Sequence, residues 1–193
     1  MIPVTTNLSG TATVIISGLS FNNFADTETA DNLELEVDNA GGTEATDDKT
    51  ITINAGDTLV SSAANQSFLV GDSDTAISQI TITYQGDTPA INTTNDIRVK
   101  IPSGFNMQWD TSLTSPTLGG TASGKVNSTV SYPDSATLLV TVTSNFAVTD
   151  TLTISGLEFS NFSAVSSSDN LELDTDNDAT ADAVDDKTIQ VNS

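Results

Sequence analysis

Counting from Asp174, acidic side chains fall at positions 1, 3, 5, 9 and 12: Asp174, Asp176, Asp178, Asp182 and Asp185. A chain that wraps one ion presents an oxygen at every second residue and returns to the ion at the twelfth, so this spacing suits a hard divalent cation. Carboxylate oxygens unaccompanied by His or Cys disfavour soft metals, and a flexible loop suits the irregular shell of Ca²⁺ better than the rigid octahedron of Mg²⁺. The segment around these residues, "DNLELDTDNDATADAVDDKTI", has an earlier counterpart, "DNLELEVDNAGGTEATDDKTI". There Glu36, Asp38, Glu44 and Asp47 keep four of the five acids, while the fifth position is Ala40.

The spacing is that of an EF-hand-type calcium loop, with three departures. Ala179 stands where the sharp turn favours Gly, Asp185 replaces the longer Glu at the closing position, and no helical pattern flanks the loop. A second reading therefore stays open. The acids would form a solvated hairpin loop between an "LEL" strand and a "KTI" strand, kept polar for solubility and to discourage edge pairing. Mutual repulsion among so many carboxylates favours a counterion in either case.

The rest of the composition narrows the function classes. The 193 residues hold 26 acids against five bases, a formal charge of −21, which disfavours nucleic acid and anionic membrane surfaces and leaves cations as natural partners. There is no Cys and no His, so thiol chemistry, Ser-His-Asp sites and the usual zinc sets are excluded. Paired carboxylates could in principle serve a glycosidase, but with one Trp and two Tyr the chain offers little aromatic platform for sugar, and the expectation is that it is not an enzyme. No apolar run reaches bilayer length. The opening "MIPVTTNLSG" lacks the basic and apolar regions of a signal peptide, so an export signal is expected to have been removed, or Met1 to have been added to an excised piece.

The elements that position these acids recur. "ISGLSFNNF" at 16–24 matches "ISGLEFSNF" at 154–162, and "DNLEL" and "DDKTI" match at the same offset of 138 residues. Residues 1–54 align without a gap on residues 139–192, with about half the positions identical. The expected organisation is a partial preceding repeat at 1–54 followed by a complete repeat at 55–193. Apolar residues alternate with polar ones at Val14 and Ile16, Ile80 and Ile82, Ile97 and Val99, Leu152 and Ile154, and Ile189 and Val191. That period of two predicts half-buried strands, about eight or nine per period and about four within 1–54, with turns at "YQGDTP", "IPSG", "LGG" and "YPDS". The fold class expected is all-β, an immunoglobulin-like or jelly-roll-type antiparallel sandwich.

"GLxFxNF" occurs in both copies and takes four of the seven Phe, which points to core anchors at Leu19, Phe21 and Phe24 and at Leu157, Phe159 and Phe162. Trp109, alternating with Phe105 and Met107, reads as core, with a sugar-stacking role as the alternative. Asn7, Asn65, Asn92, Asn127 and Asn161 lie in glycosylation sequons, which matter only in an organism with the machinery.

The phrases "NDIRVKIPSGFNMQWD", "VSYPDSATLLVTVT", "ISGLEFSNF" and "DNLELDTDNDATADAVDDKTI" resemble the acidic Ig-like β-strand repeats of giant bacterial-type surface proteins and adhesins. The resemblance implies an extracellular, cell-surface stalk or extender module, stiffened by calcium at its junctions. Its partners would be neighbouring repeats or identical subunits, met head to tail or by strand exchange. Two alternatives accompany it: a self-assembling filament or surface-layer subunit completed by strands from neighbours, and a module that binds glycan through Trp109, Tyr84 or Tyr132. In every version an incomplete first unit is expected to bury Ile16, Phe21 and Phe24 against something beyond its own sheet.

Overall fold

The computed structural model describes every residue except 1, 2, 6, 7, 22–27, 38–40, 54, 55, 87 and 88, and the burial of every side chain except those and residues 28, 29 and 53. The chain divides into two compact units, Met1–Asn54 and Ala55–Ser193. In the first, β1 (Glu28–Leu35) and β2 (Ala45–Ile53) form a two-stranded antiparallel sheet. The second opens with β3 (Leu59–Ser62), β4 (Gln66–Leu69), β5 (Thr75–Ala76), β6 (Ile80–Thr83), β7 (Ile97–Lys100), β8 (Gln108–Trp109) and β9 (Thr117–Gly119). It continues with β10 (Ser131–Asp134), β11 (Thr137–Val140), β12 (Thr151–Ser155), β13 (Glu158–Ser160), β14 (Ser166–Asp174) and β15 (Ala183–Asn192). Among the described residues the one helical element is a single 3-10 turn at Ser123–Lys125, and no helix is long and apolar enough to cross a membrane.

The second unit is an all-β sandwich. Its sheets run in the orders β10-β11-β7-β14-β15-β4, β3-β6-β12-β9 and β5-β13-β8. Alternation drives the burial: in β6 and β7 every second residue is buried, and Ile80, Ile82, Ile97 and Val99 are all fully enclosed. Leu152 and Ile154 of β12, and Leu171 and Leu173 of β14, close the same core. Phe68 stacks on Phe162 with centroids 4.9 Å apart and meets the edge of Phe159 at 5.7 Å; Phe159 in turn lies 4.7 Å from Trp109. All named strands pair antiparallel except β15 and β4, which are parallel, with Ile189 opposite Gln66 and Asn192 opposite Leu69.

The hairpins β1–β2 and β14–β15 have one geometry. Glu28 faces Ile53, Asp31 faces Ile51, Asn32 faces Thr50, Glu34 faces Thr46 and Leu35 faces Ala45, and each pair recurs 138 residues later, from Ser166 with Val191 to Leu173 with Ala183. Both irregularities in the ladder recur too. At the second, the β15 strand carries extra residues, so backbone groups leave the ladder and need other partners. Asn170 supplies them: its Nδ2 donates to the carbonyls of Asp185 at 2.9 Å and Lys187 at 3.1 Å. Asn32 does the same for Asp47 at 2.9 Å and Lys49 at 3.2 Å.

Surroundings separate the copies. Leu152, Ile154, Leu157, Phe159, Leu171 and Leu173 are 0–1% exposed, whereas Val14, Ile16, Leu19, Phe21, Leu33 and Leu35 are 50–82% exposed. The expected burial of Ile16 and Phe21 is thus not present in this chain, and Phe24 lies outside the described residues. Of the four strands expected in residues 1–54, the described residues of that unit contain two. The physical reason is partner supply. In the second unit "TLTIS" becomes β12 by pairing with β6 and β9, and "EFS" becomes β13 by pairing with β5 and β8. Residues 1–54 hold no such partners, so Val14 and Ile16 remain outside any strand.

Ile154→Ala should therefore lower the unfolding free energy of the second unit by about 2–5 kcal/mol, as a core truncation does. Ile16→Ala should change stability by no more than about 0.5 kcal/mol, as at an open surface. Urea unfolding of both variants checks the contrast; equal effects would show that Ile16 is packed.

Candidate functional site

The acidic loop is held between the ends of β14 and β15, and the structure divides its acids into two groups. Asp174, Asp176 and Asp182 each bring a carboxylate oxygen within 4.8 Å of the others, with Asp174 buried, Asp182 half-buried and Asp176 exposed. Asp178 and Asp185 are not part of that cluster. Asp178 turns back on its own loop and accepts the Thr180 N–H at 2.7 Å and the Thr180 hydroxyl. Those two bonds hold its carboxyl below the usual carboxylate range.

Asp174 sits at the end of β14, beside β7, and its side chain is fully enclosed. One oxygen pairs with Lys100 Nζ and the other accepts the Asn177 N–H at 2.6 Å. Asp182 accepts both the N–H of Thr175 at 2.6 Å and its hydroxyl at 2.8 Å. Asp176 accepts the Asp178 N–H at 3.1 Å. The cluster therefore has an ammonium at its buried end and turn amides around it. A Ca²⁺ there would take Asp174, Asp176 and Asp182 as its carboxylate ligands and would lie near the Lys100 charge, which opposes it. The turn itself is strained at Ala179, whose φ of 74° is left-handed; the matching position in the first copy is Gly41 at 80°.

Asp185, at the twelfth position of the spacing, has a different task. It is 3% exposed and lies on β15, facing β3. Its Oδ1 accepts the Ser62 N–H at 2.9 Å and the Lys187 N–H at 2.9 Å, and its Oδ2 accepts the Ser62 hydroxyl at 2.5 Å. Asp186 beside it accepts the Ser61 hydroxyl at 2.7 Å and pairs with Lys187 Nζ; the Lys187 bond, then the Ser61 bond, hold its carboxyl low. Asn65 Oδ1 accepts the Thr188 N–H at 3.0 Å. Asn192 Nδ2 donates to Ser67 Oγ at 2.7 Å, and the Val70 N–H donates to the Asn192 carbonyl at 2.8 Å. A row of polar bonds thus joins β15 to the β3–β4 segment along its length. Sequence reasoning read Asp185 as a metal ligand and did not find this seam, which pairs side chains about 123 positions apart.

In the first unit the same acids are exposed. Glu36 accepts the Gly41 N–H at 2.5 Å, Glu44 accepts the Val37 N–H at 2.9 Å, and Asp47 accepts the Lys49 N–H at 3.1 Å. Asp38 lies outside the described residues. Leu33, Leu35 and Ala45 line an open groove of about 290 Å³ on this hairpin. Of the aromatic candidates, Trp109 is fully buried and donates its indole N–H to the Ala136 carbonyl at 3.0 Å, and Tyr84 is 8% exposed. Tyr132 is half-buried, with its hydroxyl on the Leu113 carbonyl at 2.7 Å; burial, with the Asp110 charge, pushes its pKa up to about 12. Set against protein-family models and against curated proteins, the chain matches none.

Lys100→Met should destabilise the second unit by about 3–5 kcal/mol, because it strands the Asp174 carboxylate in an enclosed site without its cation. Adding Asp174→Leu to Lys100→Met should recover much of the loss. Chemical unfolding of the single and double variants measures both; a single variant as stable as the parent chain would show that the pair contributes nothing.

Proposed function

We propose that this protein is a non-catalytic structural module, a spacer that joins end to end with units of its own kind on a cell surface or in the extracellular space. The observation that carries the reading is the parallel pairing of β4 with β15. The chain enters the second unit beside the start of β15, where Ser62 bonds Asp185, and leaves it at the end of β15, beside Leu69 and Val70. The ten residues of β15 at about 3.3 Å each separate those two points by roughly 30 Å. A unit whose chain enters at one end and leaves at the other extends when repeated, whereas antiparallel terminal strands would bring both ends together.

The sequence repeat, the matching hairpins, the acidity and the missing His and Cys all agree with this reading. The polar seam between β15 and the β3–β4 segment fits it physically. Tension applied across the two ends would load many hydrogen bonds at once along the strands rather than one at a time. Calcium stiffening belongs to the same proposal, at Asp174, Asp176 and Asp182, with the filament subunit as the second reading because the first hairpin is open.

Small-angle scattering on tandem copies of residues 55–193 should show the maximum dimension growing by roughly 30–40 Å per added copy. A compact cluster that barely lengthens with copy number would end the spacer reading. Titration calorimetry should show saturable Ca²⁺ uptake that Asp176→Ala together with Asp182→Ala abolishes, and Lys100→Met should tighten it by removing the neighbouring positive charge. No saturable heat in either background would leave the loop as a solvated turn.

A further inference from the structure

Residues 62–69 run beside residues 185–192 in one constant register. Ser62 bonds Asp185, and Asn65 Oδ1 accepts the Thr188 N–H, each pair 123 positions apart. The β4–β15 ladder keeps that spacing from Gln66 with Ile189 to Leu69 with Asn192. The two segments are parallel and lie near opposite ends of the second unit's sequence, so tension drawn between residues 57 and 193 pulls them in opposite directions along a shared axis. We propose that this seam is a mechanical clamp, which holds the second unit closed against tension along the chain but gives way to a force that opens it from one end. The clamp deepens the spacer reading and rests on it for its use, since linked units transmit such tension.

The difference between the two directions is geometric. A hydrogen bond is lost once donor and acceptor part by about 1 Å beyond their usual separation. Parallel ladder bonds are evenly spaced along the strands, so sliding β15 past β4 stretches all of them by the same distance and they fail together. Peeling from one end breaks them in turn. Side chains enlarge the set that sliding must break. The Ser62 N–H and hydroxyl both go to the Asp185 carboxylate, the Ser61 hydroxyl goes to Asp186 at 2.7 Å, and the Asn192 and Gln190 amides go to Ser67 Oγ at 2.7 and 3.2 Å. Bonds to a carboxylate are roughly twice as strong as neutral ones. Ser62 and Asp185 are 2% and 3% exposed, so water has little access to replace their bonds as they stretch.

Neither segment has an easier way out. β15 is laddered on its other edge to β14, from Ser166 with Val191 to Leu173 with Ala183. β3 is laddered to β6, from Leu59 with Thr83 to Ser62 with Ile80. Both pairings also lie along the direction of pull, so they too resist by sliding rather than by peeling. Movement of the β3–β4 segment would draw Phe68 off Phe162, on which it stacks at 4.9 Å, and Val60 out of the core they share. Asp185, at the head of the seam, is in this reading a mechanical tie rather than a metal ligand.

Single-molecule force spectroscopy on the full chain tests the clamp. The sequence has no Cys, so introduced thiols take the handles without competition. Asp57→Cys with Ser193→Cys applies tension along the seam, both positions being exposed. Ser73→Cys with Ser193→Cys applies it at one end, because Ser73 lies in the exposed turn after Val70, whose N–H bonds the Asn192 carbonyl. The first geometry should unfold at a severalfold higher force. Ser62→Ala removes a bond to a charged acceptor at the far end of the seam, so it should raise the unfolding rate along the seam by about tenfold and leave the peeling rate unchanged. Ser67→Ala, an exposed position where peeling starts, should speed both. Equal forces in the two geometries, or a Ser62→Ala effect that is the same in both, overturns the clamp. A weak seam in an array that still lengthens with copy number would leave a spacer without a clamp, whereas a strong seam in a compact array would keep the clamp and end the spacer reading.

Discussion

A two-stranded hairpin cannot bury its own apolar face, nor satisfy its two outer edges, and the rest of this protein is arranged around how that need is met. In the second unit β7 closes one edge of β14–β15 and β4 closes the other, while Ile80, Ile82, Leu152 and Ile154 belong to the same buried core as the hairpin's apolar residues. Burial then follows for Leu171, Leu173, Ile189 and Val191. Where this cover is lacking, in the first unit, the hairpin keeps its register but Leu33 and Leu35 stay exposed. Local chemistry sets the hairpin's geometry, and its neighbours set its stability.

The acidic residues divide along the same line. Asn170, Asp169 and Asp185 act locally, capping amides and carbonyls that the ladder irregularities release, and Asn32, Asp31 and Asp47 act alike in the first copy. Asp174 and Asp185 acquire long-range roles only when neighbours arrive, Lys100 for the first and Ser62 for the second. A dense run of carboxylates thus need not be a single site. It contains a bulge device, a strand seam, a buried ion pair and a small cluster of three oxygens that suits a cation.

The parallel seam also links fold to proposed role. Antiparallel neighbours dominate the sheets, and the one parallel pairing of strands joins the first and last segments of the unit. It separates the entry and exit of the second unit by about the length of β15, and polar side chains reinforce it through bonds that include Ser61 to Asp186 and Asn192 to Ser67.

By itself the sequence determined the all-β class, the core positions of most strands and the repeat, because alternation with period two and gapless identity are local, countable properties. Trp109 and the "GLEFSNF" anchors were legible as core for the same reason. The spacing of the acids was legible as well, and it led to Asp178 and Asp185 as ligands alongside Asp174, Asp176 and Asp182. Only the tertiary structure drew three of them together and sent Asp185 to Ser62, since that partner is 123 residues away and no spacing rule reaches it. Tertiary context also decided that "TLTIS" is a strand while its counterpart around Val14 and Ile16 is not. A strand exists through the ladder it shares, and the residues that supply that ladder lie elsewhere in the chain.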